Sequence, residues 1–255
     1  MMPPEIFSRT ARRLVHDRCI GSDPADRWLL NRMADELVAR LDAVKRPFAR
    51  ALVIGDGAQR LATSLRTKGI ETYCANPGFR AASLAHGTLC DEDRLPFADS
   101  SFDLVMANGT LDTVHDLPGA LVLIRRVLRP DCLFLGAMMG ANSLPTLRAT
   151  LAAATNEGAN VARMHPAVDV RAAGDLLTRA GFVLPVAESE AVEVDYRSAQ
   201  RLFADLRANG LSNVLRERES LDRATYLRLA TLLSATPLQE RFNLLFLTGW
   251  TASAQ

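Results

Sequence analysis

The residues best placed to do chemistry in this chain are Gly55, Asp56 and Gly57. They end the apolar run Arg50 to Ile54 and precede Ala58 to Lys68, whose periodicity predicts a helix stopped at Gly69. Strand, glycine turn and helix together set backbone N–H groups at the carboxyl end of a strand, where open α/β sheets bind ligands. Glycine removes the β-carbon that would block a ligand's approach, and the N–H groups opening a helix can receive a carboxylate. An ordinary strand-to-helix connection uses glycine too, since tight turns need it. Further on, Asp112 follows another strand; it could serve as a base or stand solvated in its loop.

Other chemistries find little footing. His16, His86, His115 and His165 have no HxxxH or HExxH spacing, and Cys19, Cys74, Cys90 and Cys132 form no CxxC pair. No metal site and no disulfide framework is therefore expected, and the cysteines read as small buried hydrophobes. Lysine and arginine number 30 against 29 acidic residues, so the net charge of +1 gives no general pull toward nucleic acid. No uncharged apolar run is long enough to span a membrane, and the start lacks a secretory layout, which together predict a cytoplasmic protein.

The elements that must position the turn follow from the same reading. Ile6 to Arg18 and Asp26 to Val44 are predicted helices, the second preceded by an Asp23-Pro24 cap. Strands are expected at 50–54, 69–75, 101–107 and 132–138, with a short segment at 87–90 and helices at 58–68, 79–85 and 117–128. Alternation of this kind predicts a parallel sheet covered on both faces, because each parallel pair needs a crossover. After residue 140 the rhythm changes: helices at 142–155 and 169–180, extended pieces at 181–185 and 191–196, mostly helix over 198–233, and a last strand at 241–250. A late strand pair separated by a helical insertion places the last strand antiparallel. Three units are expected: an N-terminal helical lid (1–48), a cofactor-binding half (49–140) and a substrate-side half (141–255).

The segment Leu89-Cys90-Asp91-Glu92-Asp93-Arg94-Leu95-Pro96-Phe97, leading into Ser101-Phe102-Asp103-Leu104-Val105, resembles class I S-adenosylmethionine-dependent methyltransferases of the type 11, biotin-synthesis-like group. Gly136 to Arg148, Asp175 to Phe182, Asp205 to Gly210 and Thr248-Gly249-Trp250, with Phe7 and Arg9 at the start, resemble more narrowly the arginine hydroxylase family that assists respiratory complex I assembly. The resemblance implies a doubly wound, mostly parallel seven-stranded Rossmann-like sheet with S-adenosylmethionine as cofactor. It implies cofactor contacts from Gly55, Asp56, Gly57, Asn76, Asp91, Glu92 and Asn108, the acids at 91 and 92 lying beside the adenine.

Departures from that pattern are specific. The acid of the first strand is replaced by Val53, the third glycine by Gln59, and the ribose-binding acid by Ala75 with Asn76 beside it. An amide bonds a hydroxyl about half as strongly as a carboxylate does. The basic stretch Arg9 to Arg13 is expected either as a solvated face or as a lid, and Arg163 to Pro166 with Asp169 as a capped turn. No catalytic residue is singled out. The leading expectation is methyl transfer to a small-molecule or protein acceptor. Its alternatives are an arginine-hydroxylating or assembly factor acting on a complex I subunit, and a binding module with a decayed cofactor site.

Overall fold

The computed structural model describes residues 5–155, 163–218, 220–234 and 238–253. The first residues of the expected lid, 1–4, and position 219 of the expected helical stretch lie outside them. Two helices open the chain, α1 (Arg9–Gly21) and α2 (Trp28–Ala43). Then β1 (Arg50–Gly55), α3 (Ala58–Thr67), β2 (Glu71–Asn76), α4 (Phe79–Leu84), β3 (Thr88–Leu89), β4 (Phe102–Asn108), α5 (Leu117–Val127) and β5 (Leu128–Met139) alternate. The second half adds α6 (Pro145–Ala154), α7 (Val170–Arg179), β6 (Val183–Tyr196), α8 (Ala199–Ala208), α9 (Arg223–Ser234) and β7 (Leu238–Trp250).

The strands form one sheet in the order β3-β2-β1-β4-β5-β7-β6. β1 runs parallel to β2 and β4, and β4 to β5, whereas β7 is antiparallel to both β5 and β6. The expected antiparallel last strand is thus present, inserted between its two neighbours. Alternate residues of β1 serve opposite faces: Ala51 and Val53 pack with Leu37, Leu61 and Met106, while Leu52 and Ile54 pack with Leu121, Phe134 and Leu177. Burial on both faces explains why β1 and β4 read as unbroken apolar runs.

One expectation is corrected and another refined. The two extended pieces at 181–185 and 191–196 are parts of one long strand, β6, irregular between Val183 and Val186, where Leu184 has φ +49°. Its pattern is obscured because it is the sheet's outer strand, and Glu188, Glu190, Glu193 and Asp195 face solvent as a charged edge should. The stretch 198–233 is mostly helical as expected, but as two helices rather than one. α8 ends at Asn209-Gly210, with Gly210 at φ +74°, and the described residues between it and α9 form no helix, Leu215 pairing with Phe7 on the way.

One buried acid holds the second half together. α6 begins without a side-chain cap of its own, its N-cap Leu144 lying at φ +56°. Glu240 of β7, 1% exposed, accepts instead from the N–H groups of Thr146 (3.3 Å) and Leu147. Burial raises its pKa, against the opposing pull of these N–H bonds. Glu240→Ala should therefore cost about 1–2 kcal/mol in chemical denaturation, the size of a lost helix cap.

Candidate functional site

Strand order reverses between β1 and β4, and the expected site residues gather at that switch point. The turn after β1 is held against the end of β4. A β-carbon on Gly55 (φ +91°) would meet the Asn108 carbonyl at 2.5 Å and Thr110 at 2.6 Å, and one on Gly57 (φ +77°) would meet Asn108 Nδ2 at 2.7 Å. Both glycines are thus required by the chain's own packing, a reason distinct from ligand approach. Asn108 Nδ2 donates to the Asp56 carbonyl (2.7 Å) and the Leu30 carbonyl (3.2 Å), tying β1, β4 and α2 into one corner.

Asp56 is buried between two partners. Its Oδ1 accepts from Asn76 Nδ2 (3.2 Å), and its Oδ2 faces His16 Nδ1 at 2.8 Å; because a carboxylate oxygen accepts, Nδ1 carries the proton. Asn76 Oδ1 in turn accepts from the Gly78 N–H at 2.7 Å. At the end of β2 it is therefore Asn76 that reaches the crevice, while Ala75 packs in the apolar layer on the sheet's other side.

Asp91 and Glu92, following β3, are closed over by α1. The Arg12 guanidinium, 3% exposed, lies 2.7 Å from Glu92 Oε2 and 3.7 Å from Asp91. It donates to the Thr110 carbonyl and hydroxyl (2.8 Å each) and to the Thr113 hydroxyl (3.0 Å), and Thr110 donates onward to Glu92. Burial works against the Arg12 charge, but Glu92 and Asp91 outweigh it and raise the pKa. Arg9 forks onto Asp93 (2.9 and 2.7 Å) and reaches Asp91 at 2.9 Å, and Arg13 lies 3.3 Å from Asp91. The basic face of α1 is thus docked on these acids, with Arg13 left half-exposed at its rim.

The sequence reading left Arg9 and Arg12 between a solvated face and a lid, and it did not single out His16. Their signal was present: positions 9, 12, 13 and 16 share one helical face, and the chain holds one matching acidic trio at 91–93. With α1 seated, the space beside Gly55, Asp56, Gly57 and Asn76 is about 10 Å³, too small for any organic ligand. Asp91 Oδ1 and Asn108 Oδ1 are left as buried acceptors without a hydrogen bond.

A second space lies beside the crevice. A cavity of about 370 Å³ opens among α6, α8, α9 and the segment before α7, with Asp112 on its wall. Burial pushes the Asp112 carboxyl up to about 6 from 3.8, opposed by its own backbone N–H and by Arg12 and His16. A raised acid binds its proton more tightly folded than unfolded, so its contribution to stability is present near pH 3.8 and lost as pH rises through 6. Asp112→Asn should accordingly raise the unfolding free energy by up to about 3 kcal/mol at pH ~8 and leave it nearly unchanged near pH ~3, measured by denaturant titration at both. His165, also on the wall, accepts from the Val214 N–H through Nε2 (3.0 Å), and burial lowers its pKa to about 4. Asp169 caps α7 by accepting from the Ala172 N–H at 2.8 Å, the expected capped turn. Among the described residues no group of three or more His, Cys, Asp or Glu side chains could hold a metal ion, and no helix is long and apolar enough to cross a membrane.

Comparison with known proteins agrees with this architecture. Residues 52–136 match the model of a methyltransferase domain. The solved structure of Burkholderia thailandensis 1,6-didemethyltoxoflavin-N1-methyltransferase, holding its substrate and S-adenosylhomocysteine, superposes with a TM-score of 0.55 at 17% identity, over 99% of this chain and 93% of that one. At that identity the likeness is one of fold. The mitochondrial arginine-hydroxylase NDUFAF5 of Danio rerio is 30% identical across 96% of this chain and 82% of its own length. The Homo sapiens protein of the same name is 32% identical across 76% of this chain, which spans 59% of that relative. With its methyltransferase domain and seven-stranded sheet, the chain belongs to the NDUFAF5 arginine-hydroxylase family, within the class I methyltransferases.

Proposed function

We propose that the protein is an S-adenosylmethionine-dependent methyltransferase whose acceptor occupies the cavity beside Asp112. The observation that carries this reading is the ring of Asp56, Asn76, Asp91, Glu92 and Asn108 at the sheet's switch point, adjoining a separate cavity of small-molecule size.

The donor set suits the cofactor. Asp91 Oδ1 and Asn108 Oδ1 are buried acceptors awaiting donors, which amino and hydroxyl groups of a nucleoside supply. The volume does not suit it while α1 is seated, because Arg12 and His16 fill the crevice. Holding the cofactor thus requires α1 to lift. Asp91 and Glu92 would then face the adenine end, Asn76 a sugar hydroxyl, and the turn Gly55 to Gly57 the amino-acid end. The bound group would supply an electrophilic methyl. The chain's own contribution is to position the acceptor and exclude water, since alignment carries much of the rate in such displacements. Calorimetric titration with S-adenosylmethionine should give saturable heat; none at millimolar ligand would remove the reading.

Family membership favours a second reading, a protein arginine hydroxylase, for which the resemblance to the complex I assembly family implies a role in assembling respiratory complex I. A strain lacking the gene should then show reduced complex I, restored by the intact gene; normal complex I with unchanged arginine modification would exclude it.

A further inference from the structure

The walls of the 370 Å³ cavity carry a charge pattern that methyl transfer alone does not explain. Its lining is aliphatic, with Leu147 and Leu151 of α6, Leu206 of α8 and Leu229 of α9 all buried. Arg148 of α6 and Arg207 of α8 line the same cavity but are exposed, which sets their guanidinium groups at its mouth. Neither forms a salt bridge among the described residues. Arg163 is a third cation on the wall, and Asp112 is the one acidic side chain there. His165 adds no charge at neutral pH, being held as the neutral Nδ1–H form by its bond from Val214.

An apolar interior asks for hydrocarbon, and a mouth with two arginines asks for an anion that can accept a forked pair of N–H bonds. An alkylammonium of the same shape meets repulsion, and an alcohol gains only the burial. The volume is at the lower end for organic ligands, which suits one medium-length chain rather than a folded polypeptide loop. Asp112 lies where the cavity adjoins the crevice, within electrostatic reach of Arg12 and His16 of α1 and Asp56 of the turn.

We propose that this cavity binds an acyl chain, its carboxylate held by Arg148 and Arg207 at the mouth and its far end directed toward Asp112. As the class of acceptor, this rests on the methyltransferase reading and requires a nucleophilic heteroatom at that far end, whose lone pair takes the methyl as the sulfonium S–C bond breaks; as a binding site it stands apart from that reading.

The test is calorimetry on the full chain without cofactor, using octanoate, decanoate and decylamine. Decanoate should bind saturably and roughly tenfold more tightly than octanoate, as burial of two further methylenes requires. Decylamine should bind at least tenfold more weakly than decanoate, and Arg148→Glu with Arg207→Glu should invert that preference; both side chains are exposed, and circular dichroism checks that the fold is retained. Equal binding of the acid and the amine, or a charge reversal without effect on decanoate, would overturn the proposal, as would absence of saturable heat. A parallel S-adenosylmethionine titration separates the two readings. Cofactor heat without decanoate heat sinks the acyl site alone, and decanoate heat without cofactor heat sinks the methyltransferase reading while the acyl site stands.

Discussion

Arg12→Ala should lower the unfolding free energy by about 3–5 kcal/mol, among the largest effects of any single side chain here, because it strands a fully buried carboxylate. Glu92 is 0% exposed and draws its compensation from the Arg12 guanidinium at 2.7 Å and from Thr110. Removing the cation also frees the Thr110 carbonyl and the Thr113 hydroxyl of their bonds. The pair itself is worth far less than its disruption, since desolvating two charges offsets most of their attraction. Arg12→Met combined with Glu92→Leu should therefore recover most of the loss, and a double-mutant cycle in denaturant would show strong coupling. A loss below about 1 kcal/mol for Arg12→Ala would mean that α1 is not seated on Glu92 in solution.

The contrast between Glu92 and its partner shows which parts of the site were readable. The turn after β1 was legible because its causes are local: an apolar run buried on both faces, two glycines that tolerate positive φ, and a periodic helix. The acids at 91 and 92 were legible through resemblance, as a short segment with its own signature. Arg12 and His16 were not, because what gives them a role lies about eighty and forty residues away, and a basic helix looks the same whether solvated or docked. β6 escaped for the opposite reason: as the edge strand it is only partly covered, Val192, Val194 and Ala187 being its half-buried apolar contacts, so the alternation is weak and its pairing with β7 defines it. Asp112 was read as base or loop residue; the fold places it on the wall of the larger cavity, within electrostatic reach of Arg12, His16 and Asp56, which no local pattern encodes.

On the proposed reading, docked α1 and bound nucleoside exclude each other, so α1 would set a population cost on cofactor binding. Where only the open form binds, the apparent dissociation constant is the intrinsic one divided by the open fraction. His16 is the contact to weaken, because its bond to Asp56 holds α1 at the glycine turn while the Arg12 cluster, which the fold needs, is left alone. A hydrogen bond to a charged group contributes about 1.5–3 kcal/mol, so His16→Ala should raise the open fraction and tighten S-adenosylmethionine binding by roughly tenfold or more. The same variant should speed hydrogen exchange at the α1 amides by a similar factor, since opening is then the shared step. Cofactor should likewise speed exchange in α1 of the unaltered chain, opposite to the protection that a ligand ordinarily confers. Weaker cofactor binding in His16→Ala, with α1 exchange unchanged, would show instead that the imidazole is a ligand contact and that the helix does not move.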